Sequence, residues 1–360
     1  MKKRAAIITF HCVPNYGAVL QAYALQSKLK EIVGDAGIVD YRPDRITQEY
    51  KNINTYSCFS FAASLWSLRQ FLEKKEKFKQ FEKDYFDLIP CEERNGTLFV
   101  RAEAEKVFLG SDQIWNPDIT HGFDKVYFGG ICEDIDFKAV AYAASIGKKN
   151  FSMEESREFT ELIEQVDIIS VREKEAQQLL LNDFGKKSEV VVDPTILAGK
   201  DCFERLVEPL PYKNYILFYS LTGMPEAAAM AEKVARYFGY KLIELSGRRK
   251  PYILPNHTAI YNAGPIEFVS LFHDAEFVVT DSFHGTVFSL LFHKNFISLA
   301  NKKRGGRITG LLDAVGLLHR CTDRFDRDII QEKIDWKAID KKIESMRESS
   351  LRFLTQALEE

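Results

Sequence analysis

The chain has 360 residues, of which 46% are hydrophobic and 28% are charged, as in a globular protein with a sizeable core. Its length predicts about two domains, and its formal net charge of −3 gives no global basic field that would recruit nucleic acid or an anionic membrane. The six cysteines are scattered without a C-x-x-C pair or a zinc-like histidine spacing, so neither a disulfide framework nor a structural metal is expected. No stretch reaches the roughly 18 apolar residues that span a bilayer, and the start does not resemble a signal peptide. We therefore predict a cytoplasmic protein, with peripheral contact at the inner membrane face left open.

Short apolar runs alternate with helical patterns along the first half of the chain. The predicted elements are Ala5–Thr9 (strand), Ala18–Glu31 (helix), Lys106–Leu109, Ala139–Ala144 and Asp167–Val171 (strands), Glu173–Leu181 (helix) and Val190–Val192 (strand). This rhythm predicts a parallel sheet flanked by helices, and we assign residues 1–198 to a first Rossmann-like domain.

Two stretches of this half depart from the alternation. Tyr41–Phe61 is polar and irregular, as in a mobile loop. Ser64–Phe86 has the pattern of a Lys-rich helix, either packed with a solvated Lys face or in contact with a membrane.

A second alternation begins after Gly199–Lys213, which contains two prolines, lacks periodicity and is interpreted as a linker. The predicted elements are Tyr215–Leu221 (strand), Pro225–Phe238 (helix), Lys241–Leu245 (strand), Pro265–His273 (helix), Phe277–Thr280 (strand), Gly285–Phe292 (helix) and Phe296–Leu299 (strand). They define a second Rossmann-like domain over residues 214–330. The amphipathic helix Trp336–Leu358, within residues 331–360, is expected to pack back on the body. The predicted fold class is thus α/β, with two Rossmann-like domains facing a cleft. Ligands bind outside the strand carboxyl ends of such sheets, so the polar segments there are site candidates.

The segment TDSFHGT, residues Thr280–Thr286, is the strongest candidate. A buried strand delivers Asp281, Ser282 and His284 to its carboxyl end, and Gly285 opens a helix whose N-terminus favours an anion. An imidazole beside that anion suits general acid–base catalysis, because histidine exchanges protons near neutral pH. The alternative is a capped helix start with a surface histidine.

Arg172 follows another predicted strand, within Ile169–Glu173. The dipole disfavours a cation at a helix start unless an anion joins it, and the guanidinium fork suits a carboxylate or a phosphate. An ion pair with Glu173 or Glu175 is the alternative.

Three loops complete the set of candidates. Asn15, Tyr16 and Gly17 follow the first strand without a G-x-G-x-x-G pattern, so they indicate sugar contact or an ordinary capped loop rather than a dinucleotide site. The loop after Lys106–Leu109 combines an aromatic ring, which is either a stacking platform or a packing anchor, with polar groups: Asp112, Gln113, Trp115 and Asn116. The basic loop Lys302–Arg307 has the composition of a phosphate clamp or of a solvated loop.

Together these stretches resemble the polysaccharide pyruvyl transferase family. The resemblance rests on five stretches that occur in the same order as in that family: Asn15–Leu25 (NYGAVLQAYAL), Gly110–Asn116 (GSDQIWN), Ser170–Glu173 (SVRE), Val192–Thr195 (VDPT) and Thr280–Thr286 (TDSFHGT). The resemblance implies a GT-B-like fold and an enzyme of exopolysaccharide biosynthesis. Such a transferase moves the enolpyruvyl carbons of phosphoenolpyruvate onto two hydroxyls of a sugar, which belongs to a polysaccharide or a lipid-linked precursor. The product is a cyclic ketal, and phosphate is released.

The resemblance also implies roles for individual residues. The family's turn usually reads Arg-Leu-His-Gly, so His284 matches but Ser282 stands where the arginine would be. We expect His284 to protonate C3 of phosphoenolpyruvate, and Asp281 or Asp112 to accept the hydroxyl proton. The second domain is assigned to the donor and the first to the acceptor. The expected donor contacts are Arg172, Ser282, Gly285, Thr286 and Arg307, with Lys302 or Lys303 as other sources of the missing charge. The expected acceptor contacts are Asn15, Tyr16, Gly17, Asp112, Gln113, Trp115 and Asn116. No metal or redox cofactor is expected.

Two other functions fit the same residues. A glycosyltransferase using a nucleotide sugar would have nearly the same fold, and a helix N-terminus holds a diphosphate equally well. The loss of the arginine at Ser282 also keeps open a non-catalytic, carbohydrate-binding member of a polysaccharide assembly system.

Overall fold

The chain divides into two compact units. The structure, a computed structural model, describes residues 5–51, 61–94, 97–100, 104–132, 136–246, 256–300 and 305–360. Unit 1 comprises residues 1–53, 82–198 and 345–360, and unit 2 comprises residues 54–81 and 199–344. Each unit is built on its own parallel sheet with helices between the strands. This arrangement confirms the predicted α/β class with two Rossmann-like domains.

Unit 1 contains a seven-stranded sheet with the order β10-β9-β8-β6-β1-β2-β3, in which every pair is parallel. A small sheet, β4-β5-β7, accompanies it. Up to residue 198 the elements are β1 (Ala5–Ile8), α1 (Tyr16–Val33), β2 (Ala36–Val39), α2 (Asp44–Lys51), α3 (Phe61–Tyr85), β3 (Leu88–Ile89), β4 (Cys91–Arg94), β5 (Thr97–Val100), β6 (Lys106–Leu109), α4 (Pro117–Thr120), β7 (Ile131–Cys132), β8 (Lys138–Ala144), α5 (Met153–Ile163), β9 (Ile168–Val171), α6 (Lys174–Phe184), β10 (Glu189–Val190) and α7 (Pro194–Ala198). The strand order reverses between β1 and β6, because the chain adds β2 and β3 on one side and β8, β9 and β10 on the other.

Unit 2 contains a five-stranded sheet with the order β13-β12-β11-β14-β15, again with every pair parallel. After residue 198 the elements are α8 (Lys200–Glu204), β11 (Tyr215–Ser220), α9 (Pro225–Phe238), β12 (Lys241–Ser246), β13 (His257–Ile260), α10 (Pro265–Asp274), β14 (Phe277–Thr280), α11 (Phe283–Leu291), β15 (Asn295–Ser298), α12 (Gly306–Val315), α13 (Arg327–Gln331) and α14 (Trp336–Glu359). Unit 2 includes α3 up to Phe81 and α14 up to Glu344. Here the strand order reverses between β11 and β14. Residues 199–213, interpreted from the sequence as a linker, contain α8 and belong to unit 2.

The central strands are short runs of apolar residues because both faces of each sheet are covered. All four residues of β1 and of β14 are buried, and the residues of β8 are buried from Ala139 to Ala144. Continuous burial of this kind is the pattern expected of parallel sheets with helices on both faces.

The long helices α3 and α14 each bury part of their surface against the rest of the chain. Phe78 and Phe81 of α3 are buried. The last part of α14 belongs to unit 1, where the Ser350 hydroxyl accepts a hydrogen bond from Val192 N (2.9 Å) and Leu354 is fully buried. Among the described residues, no helix has the length and apolar character needed to cross a membrane.

The predicted irregular loop Tyr41–Phe61 is wrong in its first part, where the structure has the helix α2. The carbonyl of Pro43 accepts hydrogen bonds from the amides of Ile46 and Thr47, so the helix starts directly after the proline. Polar composition alone suggested a loop, but no residue of α2 is a glycine or a proline. Residues 52–60 of this prediction lie outside the described residues.

Candidate functional site

In both units, candidate segments follow the strands at which the strand order reverses. In unit 1, β1 leads to Asn15–Gly17 and β6 leads to Asp112–Asn116. In unit 2, β14 leads to the turn that contains His284. A reversal opens a crevice at the carboxyl ends of the strands, where ligands of such sheets bind. Within each unit, the fold thus brings the candidate loops to its ligand-binding edge.

Asp281 ties the two central strands of unit 2 together. Its carboxylate accepts hydrogen bonds from the Ser220 hydroxyl (2.7 Å), from the amides of Leu221 (2.7 Å) and Thr222 (3.3 Å), and from the Thr222 hydroxyl. Four donors occupy the two oxygens, so the carboxylate holds the turn after β11 in place. Its partners make Asp281 a structural residue of this turn.

His284 and Arg307 both contact the Phe283 ring. The rings of Phe283 and His284 meet edge to face with centroids 5.3 Å apart, and the Arg307 guanidinium carbon is 5.8 Å from the Phe283 centroid. His284 lies in the first turn of α11 and is 8% exposed, while Arg307 lies in the first turn of α12 and is half-buried. The arrangement places a cation and an imidazole near the positive end of a helix.

The remaining candidates of this turn hold the helix rather than offer groups to a ligand. The Ser282 hydroxyl caps α11 by accepting from Gly285 N, and the Thr286 amide donates to the Ser282 carbonyl. Thr286 is fully buried. Gly285 packs directly against β14: a Cβ there would collide with the Thr280 hydroxyl and come within 3.0 Å of the Thr280 Cβ. The glycine is therefore required by helix–strand packing, whereas it was predicted from the sequence to be a donor contact.

Arg172 occupies a buried group of charges in unit 1. Its Nη1 donates to Asp193 Oδ2 at 2.6 Å, its Nε lies 3.4 Å from Glu173 Oε1, and its Nη2 lies 4.0 Å from Asp112 Oδ1. Burial acts against the charge, but the carboxylates of Glu173, Asp193 and Asp112 together raise the pKa of the Arg172 guanidinium. One positive and three negative formal charges give these four side chains a net of −2. The ion pair with Glu173, offered as an alternative, is present, together with a closer one to Asp193.

Asp193, which the sequence analysis did not select, is the centre of this group. Besides Arg172, its oxygens accept from the amide and hydroxyl of Thr195 and from the Ser111 hydroxyl. Glu173 in turn accepts from the Ser145 hydroxyl at 2.6 Å. These residues follow β6, β8, β9 and β10, so polar side chains at the ends of four strands form one buried network. The signal in the sequence was Val192–Thr195, which was quoted as a motif without a role.

The loop after β1 is an ordinary capped start of a helix. The Asn15 side chain accepts hydrogen bonds from the amides of Gly17 (3.0 Å) and Ala18 (3.4 Å), and Tyr16 is 2% exposed. The same group of Asn15 that was expected to contact a sugar thus satisfies the first turn of α1.

The loop after β6 contains two partly exposed candidates, Asp112 and Gln113. Asp112 has a φ of 71°, in the left-handed region, and its carboxylate accepts from Gln113 N at 2.8 Å. Gln113 Oε1 accepts from Asn116 Nδ2 at 2.9 Å, and both amides lie against Gly147, whose missing side chain leaves room for them. A non-glycine residue at positive φ is uncommon and often occurs at functional sites.

Trp115 is a packing residue. It is fully buried, its indole N–H donates to the Tyr127 carbonyl at 2.9 Å, and its ring stacks on Phe128 with centroids 5.4 Å apart. The ring therefore presents no face to a sugar, and the interpretation as a packing anchor applies.

A group of polar side chains centred on His11 was not predicted from the sequence. His11 follows β1, and its ring nitrogens lie 3.2 Å from the Thr9 carbonyl and 3.3 Å from Asp40 Oδ1. The hydrogen bond from His11 and the nearby Arg42 lower the pKa of Asp40. Arg42 also pairs with Glu82. The sequence signal was Asp40, directly after a short apolar run that was not read as β2.

Lys302, Lys303 and Arg304 lie outside the described residues, so Arg307 is the described cation of the predicted basic loop. The chain is thus a protein of two Rossmann-like α/β units, with polar and charged side chains at the strand reversal of each. The sequence model of the polysaccharide pyruvyl transferase family matches residues 15–303. The chain belongs to that family of transferases, which act on sugar polymers.

Solved structures of similar fold come from sugar-nucleotide enzymes. A UDP-N-acetylglucosamine 2-epimerase is 12% identical, with a TM-score of 0.52 over 98% of this chain and 95% of its own. The UDP-N-acetylglucosamine 2-epimerase of Rickettsia bellii is 11% identical, with a TM-score of 0.48 over 100% and 97%. Staphylococcus aureus MnaA bound to UDP is 12% identical, with a TM-score of 0.48 over 97% and 91%. At these identities the likeness concerns the fold alone. A comparison with curated proteins gave no match.

Proposed function

We propose that this protein transfers pyruvate from phosphoenolpyruvate to two hydroxyls of a sugar, forming a cyclic ketal and releasing phosphate. The sugar belongs to a surface polysaccharide or to a lipid-linked precursor. The observation that carries the proposal is that His284 and Arg307 contact the same ring, that of Phe283, where α11 starts at the strand reversal of unit 2.

The donor is assigned to unit 2 because phosphoenolpyruvate carries a carboxylate and a phosphate. The positive end of α11 and the guanidinium of Arg307 both favour an anion. Ser282 stands where the family usually has an arginine and is used as a helix cap, so Arg307 supplies the charge. In unit 1, by contrast, Arg172 is already faced by three carboxylates, and its assignment to the donor stays a prediction.

His284 is proposed as the general acid. Proton transfer from the imidazole to C3 creates the methyl group and leaves a cationic centre at C2, to which the first hydroxyl oxygen bonds. The second hydroxyl oxygen then replaces the phosphate at C2. Of the two hydroxyl protons, one balances the proton gained at C3 and the other leaves with the phosphate. The reaction as a whole involves no net oxidation or reduction.

Asp112 is proposed as the base that accepts the proton of the acceptor hydroxyl. Asp281 was the other candidate, but its oxygens accept four hydrogen bonds within unit 2. Asp112 is partly exposed, at the reversal of the unit 1 sheet, beside the amide of Gln113. We assign the pyruvylated sugar to this unit, where the partly exposed Asp112 carboxylate can accept a hydroxyl proton.

The test is an assay with phosphoenolpyruvate and a sugar-diphosphate lipid, in which released phosphate and an acid-labile ketal are measured. His284→Gln should lower kcat by about 10²- to 10⁴-fold, because a general acid contributes that much. Arg307→Ala should raise the KM for phosphoenolpyruvate by about tenfold or more, since a charge-assisted hydrogen bond is lost.

Arg324→Ala is the matched control, because this arginine is exposed and lies in the same unit. It should leave both constants unchanged. An unaltered kcat in His284→Gln would refute the acid role, and absence of phosphate release with every lipid-linked sugar offered would refute the reaction itself.

A further inference from the structure

One face of α3 lies against the loop that follows β13 in unit 2. The residues Trp66, Arg69 and Glu73 recur at the three- and four-residue spacing that places side chains on one face of a helix. The Trp66 and Tyr261 rings meet edge to face with centroids 5.2 Å apart, and Asn262 Nδ2 donates to Glu73 Oε2 at 2.7 Å. These five residues are called the α3–β13 patch.

Trp66 keeps much of its surface in water. It is 49% exposed, and among the described residues it is the one aromatic side chain in the group of exposed large hydrophobic residues. Tyr261 supports one edge of its ring and is itself half-buried. An indole that is fixed on one side and open on another offers a rigid apolar platform to a ligand.

The patch lies on the same edge of the sheet as the donor site. Tyr261 and Asn262 come directly after β13, at its carboxyl end, and His284 follows the carboxyl end of β14. In the strand order, β13 and β14 are separated by β12 and β11. Three strand spacings of about 4.8 Å put the two loops about 14 Å apart along the edge, which is farther than one sugar ring reaches.

The polar groups of the patch suit hydroxyls. Burial and the nearby Glu244 raise the pKa of Tyr261 to about 12, so its hydroxyl stays protonated and can donate. Hydrogen bonds from Arg69 and Asn262 lower the pKa of Glu73, so this carboxylate stays charged and can accept. A ring face beside a phenol, an amide and a carboxylate matches a sugar, which has an apolar face and a hydroxyl rim.

We propose that the α3–β13 patch is a saccharide subsite, which binds sugar units of the acceptor beyond the one that receives the pyruvate. The proposal rests on the proposed function, because it takes the acceptor to be an oligosaccharide. It gives the enzyme a means of preferring chains over single sugars.

Quenching of tryptophan fluorescence by acrylamide tests the subsite without phosphoenolpyruvate. The chain has three tryptophans: Trp115 is fully buried and Trp336 stacks on His293, and the Trp66→Phe variant gives their combined background. Cellotetraose and tetra-N-acetylchitotetraose serve as probes, with UDP as the comparison. A tetrasaccharide should lower the quenching of Trp66, and UDP should not. Protection by UDP, or by neither tetrasaccharide, would overturn the subsite.

Kinetics separate the subsite from the reaction. Trp66→Ala and Tyr261→Ala should each raise the KM for a tetrasaccharide acceptor by about tenfold, the worth of an aromatic contact, with kcat and the KM for phosphoenolpyruvate unchanged. Leu72→Ala, an exposed leucine of the same helix, is the matched control and should have no effect. An equal rise in KM for a monosaccharide acceptor would contradict the proposal. Failure of the proposed function would appear differently, as absence of phosphate release in the wild type while saccharides still protect Trp66.

Discussion

Arg172 and Asp193 form a buried ion pair whose members cannot be removed singly without cost. Asp193 is 1% exposed and Arg172 is 8% exposed, so neither charge has access to much water. We expect Arg172→Ala to destabilise unit 1 by about 3–5 kcal/mol, because Asp193 would remain buried without its counter-charge. Urea unfolding measures the loss.

The Asp193→Asn substitution provides the control for this prediction. In the Arg172→Ala/Asp193→Asn double variant the buried charge is gone, so part of the lost stability should return, and the difference gives the coupling of the pair. A loss below about 1 kcal/mol in Arg172→Ala would contradict the prediction, because it would mean that the buried Asp193 carboxylate does not depend on this counter-charge.

At the scale of single residues, the sequence located the loops but not the direction of each side chain. The position of His284 at a strand end was predictable, since the strand and the helix that flank it have clear apolar patterns. The roles of Trp115 and Gly285 were not, because both depend on what packs against them: Phe128 under the indole, and Thr280 beside the glycine. Contacts between distant segments leave no local trace in composition.

The start of α11 depends on close packing against β14. Gly285→Ala adds a methyl group that collides with Thr280, which lies on a fully buried strand and cannot move aside. We expect a destabilisation of about 1–3 kcal/mol, as for other overpacked positions. Because Gly285 lies in the first turn, beside His284, the activity should fall as well.

Gly310→Ala is the matched control for this prediction. Gly310 lies within α12, and a Cβ there would meet nothing within 4 Å. Its substitution should raise the stability by about 0.5–1 kcal/mol, because alanine loses less backbone entropy on folding. If both alanines had the same effect in urea unfolding, packing against Thr280 would not explain Gly285.

At the scale of elements, prediction found most of the continuously buried strands but missed β2, which is fully buried, and several strands at the margins. The strands β1, β6 and β14 were found because every residue in them is apolar or buried. The edge strand β13 was missed, since its four residues are only half-buried and its sequence, HTAI, mixes polar and apolar residues. The small sheet β4-β5-β7 and the two-residue strand β3 were missed as well, because strands of two to four residues carry little apolar periodicity.

The whole molecule has a fold that serves more than one chemistry. The similar epimerase structure matches this chain over almost its full length at 12% identity, so the architecture does not choose between a sugar nucleotide and phosphoenolpyruvate. The choice lies with the side chains at the strand reversals. Membership of the pyruvyl transferase family and the His284–Phe283–Arg307 arrangement both favour phosphoenolpyruvate.

Thermal stabilisation by ligands distinguishes these functions for the intact chain. A ligand that is present at about 100 times its Kd and binds the folded protein stabilises it by about 2.7 kcal/mol, which corresponds to a rise in Tm of about 5–10 °C for a unit of this size. We expect phosphoenolpyruvate to give such a rise and UDP to give none. The Arg307→Ala variant should lose most of the rise, because Arg307 contacts the same Phe283 ring as His284. The Arg324→Ala variant should keep the rise, because Arg324 is an exposed side chain elsewhere in unit 2. Stabilisation by UDP alone would instead favour a nucleotide sugar as the ligand at the strand reversal of unit 2. Stabilisation by saccharides, with no stabilisation by phosphoenolpyruvate or UDP, would favour a non-catalytic, carbohydrate-binding protein.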